Sequence, residues 1–309
     1  MRIRILGSGA GGGFPQWNCN CANCRAVRSG APGFVARTQS SLAVSADGAN
    51  WVLLNASPDL RQQIALAPQL APTPIDGVRA SPIKAVVLTN GDVDHVAGLL
   101  SLREAQPFNV YASRRVLDVL AANSIFKVLA PQYVARVELP LDESLALEGG
   151  GADLGLSVRA FPVQGKIALY LEDNAAENFG TFPGDTLGLE ITETKTGKSF
   201  FYVPGCARVD EPLAARLEGA ALLFFDGTLW NENEMIDQGL LGKTGARMGH
   251  VNMSGADGSL KAFAPLGVAQ KIFVHINNSN PVLDASSRER AEAESAGWKI
   301  GEDAMEVTL

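Results

Sequence analysis

The chain has few of the features that mark membrane proteins and nucleic-acid-binding proteins. No apolar run in its 309 residues approaches the roughly 20 residues that a membrane-spanning helix needs. Its formal net charge of −7 leaves no basic excess for binding nucleic acid. These absences predict a globular protein that binds neither a membrane nor nucleic acid.

The sequence also lacks a targeting segment, a Ser- or Pro-rich linker, an internal repeat and any low-complexity stretch. It opens on the strand-like residues 2–6, and 46% of its residues are hydrophobic against 19% charged, which suits a sizeable core. We therefore expect a cytoplasmic protein with one domain over residues 1–309. The sequence indicates no particular oligomeric state.

Short apolar runs rich in β-branched residues predict strands at 2–6, 41–45, 51–55, 84–88, 109–111, 156–161, 187–192, 199–203, 222–225 and 271–275. Helical patterns occur at 58–66, 96–106, 114–123, 211–217, 255–263 and 286–296. The order of elements in the first half, about 1–155, recurs in the second, about 156–309. Two such halves predict an α/β fold of the αββα type, in which two mixed sheets face each other with helices outside.

The polar stretch 89–98 is the most informative part of the chain. It follows an apolar run and precedes a helical pattern, which places Asp92, Asp94 and His95 on a loop at the end of a strand. Carboxylate oxygens beside an imidazole nitrogen suit a divalent metal such as iron, manganese or zinc. The alternative is a polar loop that only caps a helix. The other histidines of the chain, His250 and His275, share the same kind of setting, a Gly- or Asn-rich loop after an apolar segment.

A second cluster, Cys19, Cys21 and Cys24, places three of the 4 cysteines within six residues. In a reducing compartment such spacing indicates a metal site more often than disulfides, and thiolates favour Zn²⁺. We predict a structural zinc site there. Its fourth ligand is open between Cys206 and a histidine or asparagine from the C-terminal part.

The glycine-rich segment 7–13 also follows a strand and contains a GxGxxG match. Because a proline and the cysteine cluster follow it in place of a helix, we interpret it as a turn that lets the backbone pass close to the metal sites, and not as a dinucleotide site.

Four motifs carry a resemblance to a known family. Residues 14–21, 55–61, 89–95 and 275–281 resemble the family of B proteins of pyrroloquinoline quinone (PQQ) synthesis. That family is part of the metallo-β-lactamase superfamily, in the branch of ribonuclease Z and the carbon–phosphorus lyase phosphodiesterase. The similarity extends over essentially the whole chain and implies the metallo-β-lactamase fold.

The resemblance implies that Asp94, His95 and His275 bind one metal of the superfamily's two-metal site. Asn90 and Asp92 stand where the other metal's first two histidines would be. No histidine occurs near 163–165, and Gly205-Cys206 takes the place of the usual bridging aspartate. The second metal has therefore lost most of its ligands, which argues against a two-metal hydrolase.

Two histidines and one carboxylate, with Asp92 nearby as a further metal ligand, form the donor set of a non-haem Fe²⁺ oxygenase. The resemblance then implies iron-dependent hydroxylation of the tyrosine-derived ring of a small-molecule or dipeptide-derived PQQ precursor. A non-catalytic carrier of PQQ or its precursor is the first alternative. Its anionic ligand would need cations, and loops offer Arg61, Lys166, Arg208, Lys243 and Arg247. A metal-dependent hydrolase is the second.

Two further residues are predicted to act in catalysis. His250 resembles the proton-donating histidine of the ribonuclease Z branch, and Asp226 ends a strand that points to the same rim. In the cysteine site, related proteins place a histidine where this chain has Asn278, so Asn278 is the predicted fourth ligand. The alternative is that His275 turns toward the cysteines.

Overall fold

Two seven-stranded mixed sheets form the centre of the protein, as seen in a computed structural model that describes residues 1–73, 78–173 and 175–309. The first sheet has the order β14-β1-β2-β3-β4-β5-β6. Its strands are β1 (Arg2–Gly7), β2 (Ser41–Ser45), β3 (Trp51–Leu54), β4 (Ile83–Val87), β5 (Phe108–Ala112), β6 (Val134–Glu138) and β14 (Glu306–Thr308). Pairing is antiparallel from β14 to β3 and parallel from β3 to β6.

The second sheet has the order β13-β12-β11-β10-β9-β8-β7. Its strands are β7 (Ser144–Gly149), β8 (Ala152–Pro162), β9 (Leu187–Glu193), β10 (Ser199–Val203), β11 (Leu223–Asp226), β12 (Lys271–Val274) and β13 (Trp298–Ile300). Here too antiparallel pairing gives way to parallel pairing, which joins β10 to β13. The carboxyl ends of β11 and β12 therefore lie side by side at one edge.

The helices lie on the outer faces of the sheets, which confirms the αββα prediction. They are α1 (Ala22–Arg28), α2 (Leu60–Ala65), α3 (Val93–Val96), α4 (Arg114–Ala122), α5 (Glu211–Leu217), α6 (Glu234–Asp237), α7 (Gly245–Met248), α8 (Ser259–Phe263) and α9 (Arg288–Ser295). Alternate strand residues from both sheets fill the central core, for example Val44 and Leu189, which are fully buried. Two outer cores lie under the helices.

The predicted helix 96–106 is wrong in type. The structure has the short α-helix α3 followed by a 3-10 segment, Ala97–Leu102. Gly98 ties this segment to the loop after β3, because its amide donates to Ala56 O and a Cβ at this position would lie 2.1 Å from Ser57 O. Only glycine permits this close approach of two backbone segments.

The boundary between the residues of the first sheet and those of the second does not lie at residue 155. β7 and the start of β8 already belong to the second sheet, and β14 returns from the C-terminal end to the first sheet. Assignment of residues 1–309 to a single domain stays a prediction. Within the described ranges, no helix has the length and apolar character needed to cross a membrane.

Candidate metal centre and its pocket

Three predicted metal ligands meet at the edge where parallel strands end. Asp94 and His95 lie on α3, just after β4, and His275 directly follows β12. His275 Nε2 lies 3.1 Å from Asp94 Oδ2, and His95 Nε2 lies 3.8 Å from the same oxygen. One ligand atom from each residue falls within 4.8 Å of the other two. Two nitrogens and one oxygen at this spacing can bind a single ion.

His95 is oriented as a metal ligand. Its Nδ1 lies 2.7 Å from Asn90 Oδ1, an acceptor, so the ring proton sits on Nδ1. Burial lowers the pKa of His95, which keeps the imidazole neutral. Its Nε2 therefore carries a lone pair, and this buried atom has no hydrogen-bond partner among the described residues. An unpaired buried nitrogen facing a carboxylate and a second imidazole fits a bound metal.

The third ligand, His275, has backbone strain and firm side-chain support. Its φ of 56° is in the left-handed region, which is uncommon for a residue other than glycine. Its Nδ1 lies 2.8 Å from Thr228 Oγ1, which leaves Nε2 to face Asp94. Burial alone would raise the pKa of Asp94, but the hydrogen bond and charge of His275 help to hold it far below its usual value, so Asp94 is ionised.

His250 and Asp226, the predicted catalytic residues, form a pair beside this centre. His250 Nδ1 lies 2.7 Å from Asp226 Oδ2, and the His250 ring stacks on His275 at 5.0 Å between centroids. Asp226 is fully buried, and its oxygens also accept hydrogen bonds from Cys206 N and from the amide and hydroxyl of Thr228. With its oxygens occupied, Asp226 orients His250 and does not reach the pocket.

Sequence reasoning missed Thr228. Its hydroxyl lies 2.6 Å from Asp226 Oδ1, 2.8 Å from His275 Nδ1 and 3.1 Å from His250 Nδ1. It is the one side chain, among those described, that hydrogen-bonds to all three residues. Its place two residues after the end of β11 was the available signal, since that strand ends at the same edge as β12.

The structure does not bring Asp92, the further predicted ligand, into the ligand group. Its carboxylate Oδ1 accepts a hydrogen bond from Leu169 N at 3.0 Å. Asp92 precedes α3 with an extended backbone, and its side chain points toward residues 166–173, which include Leu169. Asp92 still lines the pocket. Its position supports a role in holding that segment, not in binding the metal directly.

Asp226, His250 and His275 form a second group with one ligand atom each within 4.8 Å, but both oxygens of Asp226 and Nδ1 of His250 are engaged in hydrogen bonds. The positions where the superfamily holds its second metal offer few ligands in the described parts of the chain. Asn90 Oδ1 is bonded to His95, and Gln164 and Gly165 line a different cavity. Cys206 is fully buried, its thiol donates to Arg208 O at 3.0 Å, and burial raises the pKa of that thiol far above its usual value. A buried neutral thiol is a poor metal ligand.

The cysteine cluster forms a separate site with Asn278. One amide nitrogen, Asn278 Nδ2, lies 3.0 Å from Cys19 Sγ, 3.3 Å from Cys24 Sγ and 3.7 Å from Cys21 Sγ. The sulfurs are within 4.8 Å of one another and none is in a disulfide. Of the three candidates for the fourth ligand, the structure places Asn278 here, while His275 faces Asp94 and Cys206 faces Arg208.

Glycine-rich residues 7–13 pass beside the Asp94 site, one of the two sites near which the sequence predicts this turn. Ala10 N donates to Ile276 O, and Ile276 N donates to Ser8 O, both at 2.9 Å. A Cβ on Gly11 would lie 3.3 Å from Asp94 Oδ2. The loop therefore passes directly beside the metal ligand.

A cavity of about 270 Å³ opens over Asp94, His95, His250 and His275. One part of its wall is apolar and is formed by Leu169, Met235, Leu241 and Met248. Of the five predicted loop cations, Lys166, Lys243 and Arg247 line the cavity; Arg61 and Arg208 do not. The cavity thus combines metal ligands, an apolar wall and positive charge.

Comparison with known proteins agrees with this geometry. The family described as "Beta-lactamase superfamily domain" matches residues 50–276. Coenzyme PQQ synthesis protein B of Rhodopseudomonas palustris is 53% identical, and that of Bradyrhizobium diazoefficiens is 51% identical, each over 100% of both chains.

Two solved structures are also similar. Zn(2+)-bound PqqB from Methylobacterium extorquens has a TM-score of 0.94 and 48% identity over 100% of both chains. A diphosphatase of the PhnP family has a TM-score of 0.67 at 21% identity, over 100% of this chain and 97% of its own, and shares the fold alone. From its strand order, its metal-ligand group and these full-length similarities, the chain belongs to the coenzyme PQQ synthesis protein B family of the beta-lactamase superfamily.

Proposed function

We propose that the protein acts in PQQ biosynthesis as a non-haem iron-dependent hydroxylase of a precursor's tyrosine-derived ring. The observation that carries this proposal is the group of Asp94, His95 and His275, in which the unpaired Nε2 of His95 belongs to a residue that lines the pocket. Two imidazoles and one carboxylate are the donor set of Fe²⁺ oxygenases, which leave positions open for O₂ and substrate.

The metals are assigned by ligand type. When bound, Fe²⁺ at Asp94, His95 and His275 supplies the redox chemistry that activates O₂. Zn²⁺ suits the cysteine cluster with Asn278, since thiolates favour this ion and no base lies among its four residues to activate water. The similar protein from Methylobacterium extorquens is Zn²⁺-bound, which supports a zinc site in this chain. The thiols of Cys19, Cys21 and Cys24 in this chain are free, as a cytoplasmic location would require.

The protein's own residues bind the precursor and move its protons. The apolar wall of Leu169 and Met248 suits the face of an aromatic ring. His250 is held through Nδ1 by Asp226, so its Nε2 is the atom available to the pocket. Such an imidazole can take a proton from a phenol or return one to a reduced oxygen atom.

A carrier function is the second candidate, because Lys166, Lys243 and Arg247 give the cavity an anion-binding character that needs no catalysis. The test is O₂ consumption with a tyrosine-containing dipeptide precursor, ascorbate as reductant and Fe²⁺-loaded protein. We expect substrate-dependent O₂ uptake that His95→Ala abolishes. Ligand binding without O₂ uptake in either protein would favour the carrier, and release of a cleaved product would favour a hydrolase.

A further inference from the structure

The three cations of the cavity wall differ in how their charge is used. Arg247 directs both terminal nitrogens at Glu172, at 3.2 and 2.7 Å, and its guanidinium lies 3.7 Å from the centre of the Phe179 ring. Lys166 Nζ lies 3.3 Å from the same carboxylate. The hydrogen bond from Arg247 lowers the pKa of Glu172 to about 2, so this carboxylate stays ionised. Arg247 and Lys166 are therefore tied to a partner.

Glu172 holds these two cations from behind. Its side chain is 6% exposed and does not line the cavity, whereas Lys166 and Arg247 do. Phe179, whose ring lies under Arg247, has a φ of 55°, in the left-handed region that residues other than glycine rarely adopt. The arrangement fixes residues 166–173 against α7, and it leaves Arg247 with only Nε unused by Glu172.

Lys243 is different. It lines the same cavity, but its ammonium has neither an ion-pair nor a hydrogen-bond partner among residues 1–73, 78–173 and 175–309. It directly precedes Thr244, the N-cap of α7, which fixes the position of its backbone. It stands in the wall with Leu241 and Met248, so a ring resting on the apolar side chains would place a substituent near the ammonium. A cation without a partner beside an apolar wall suits an aromatic carboxylate.

We propose that Lys243 is the residue that binds a carboxylate of the ligand, and that Lys166 and Arg247 serve chiefly to position the wall through Glu172. The proposal rests on the proposed function only in that an aromatic ligand occupies this cavity. Of the five cations that the sequence offers, Lys243 would then determine specificity for a carboxylate of the ligand.

Binding of benzene-1,2,4-tricarboxylate to the metal-loaded protein, measured by calorimetry without O₂, tests the proposal. We expect Lys243→Gln to weaken binding by on the order of tenfold, Lys243→Arg to restore most of it, and Lys261→Gln, an exposed lysine of α8 outside the cavity, to change nothing. Binding by the wild type should weaken as salt rises, and the uncharged trimethyl ester should bind poorly.

Three results would overturn the assignment. Lys243→Gln with wild-type affinity would exclude the lysine, and an equal loss with Lys261→Gln would show that the effect is not local to the cavity. Loss of binding in His95→Ala with none in Lys243→Gln would place the carboxylate on the metal. Because no turnover is measured, failure of hydroxylation leaves the result of this experiment intact.

Discussion

The hydroxyl of Thr228 lies 2.8 Å from Nδ1 of His275, and it links the predicted metal ligand to the predicted proton donor. The same hydroxyl oxygen lies 2.6 Å from Oδ1 of Asp226. The other carboxylate oxygen of Asp226, Oδ2, holds His250. If the hydroxyl donates to Asp226, it accepts the Nδ1 proton of His275, and Nε2 of His275 is then free for the metal. One threonine thus sets the ring orientation at both functional groups.

Thr228→Val is expected to lower Fe²⁺ affinity by about 10- to 100-fold, the range found for outer-sphere partners of metal-binding histidines. It also removes a donor from the buried Asp226, which costs on the order of 1–3 kcal/mol of stability. Anaerobic Fe²⁺ titration and chemical denaturation measure the two effects. Thr228→Ser keeps the hydroxyl and is the matched control. Equal iron affinity in the valine variant would show that Thr228 does not position His275.

His250→Asn should keep bound iron and slow turnover by on the order of 10²–10⁴-fold, as loss of a general acid or base does. The reason is that His250 is held by Asp226 while Asp94, His95 and His275 supply the ligand atoms. Metal analysis and steady-state kinetics provide the readout. Loss of iron in this variant would make His250 a ligand.

Cys21→Ser is expected to remove zinc and lower the melting temperature, because a metal that binds only the folded chain lends its binding energy to folding. Cys206→Ser is the control, since Cys206 is also a free thiol but lies with Asp226 and Arg208, away from the cluster. Zinc analysis and calorimetry compare them. Unchanged zinc in the first variant would refute the structural site.

Because Glu234 is buried, we predict a specific pH dependence of the free energy of unfolding. Burial raises the pKa of Glu234 from 4.5 to about 7, so the folded chain keeps a proton that the unfolded chain loses. This contribution to the free energy of unfolding is complete below about pH 4.5 and declines until about pH 7, by roughly 3 kcal/mol at most.

Glu234→Gln removes the ionisation. Denaturation of both proteins between pH 5 and 8 should show a wild-type free energy of unfolding that falls with rising pH relative to that of the variant. A constant difference between the two would mean that Glu234 titrates normally in the folded protein.

The sequence predicted the strands and helices that are buried on one face or on all sides. Ser41–Ser45, Ser199–Val203 and Glu211–Leu217 have the predicted bounds. Strands β6, β7, β13 and β14 were missed because each contains exposed residues and lacks a continuous apolar run, and β13 and β14 are only three residues long. Helix α1 was missed because its first residues were interpreted only as part of the cysteine motif.

Within the site, the family resemblance implied which residues meet at the strand ends, but the sequence did not predict the directions of their side chains. Asp92 and Asp94 are two residues apart, yet one carboxylate bonds to Leu169 N and the other faces His275. Thr228 carries no charge and belongs to no metal-ligand pattern, so its role became visible only when β11 and β12 were placed side by side.

The most direct test of the central claim is mass spectrometry of the product formed under ¹⁸O₂ by Fe²⁺-loaded protein from a tyrosine-containing PQQ precursor. An iron hydroxylase built on Asp94, His95 and His275 predicts that the tyrosine-derived ring gains oxygen from ¹⁸O₂, and that His95→Ala yields no labelled product. Ring oxygen that comes only from water, or undiminished labelling in His95→Ala, would contradict the account.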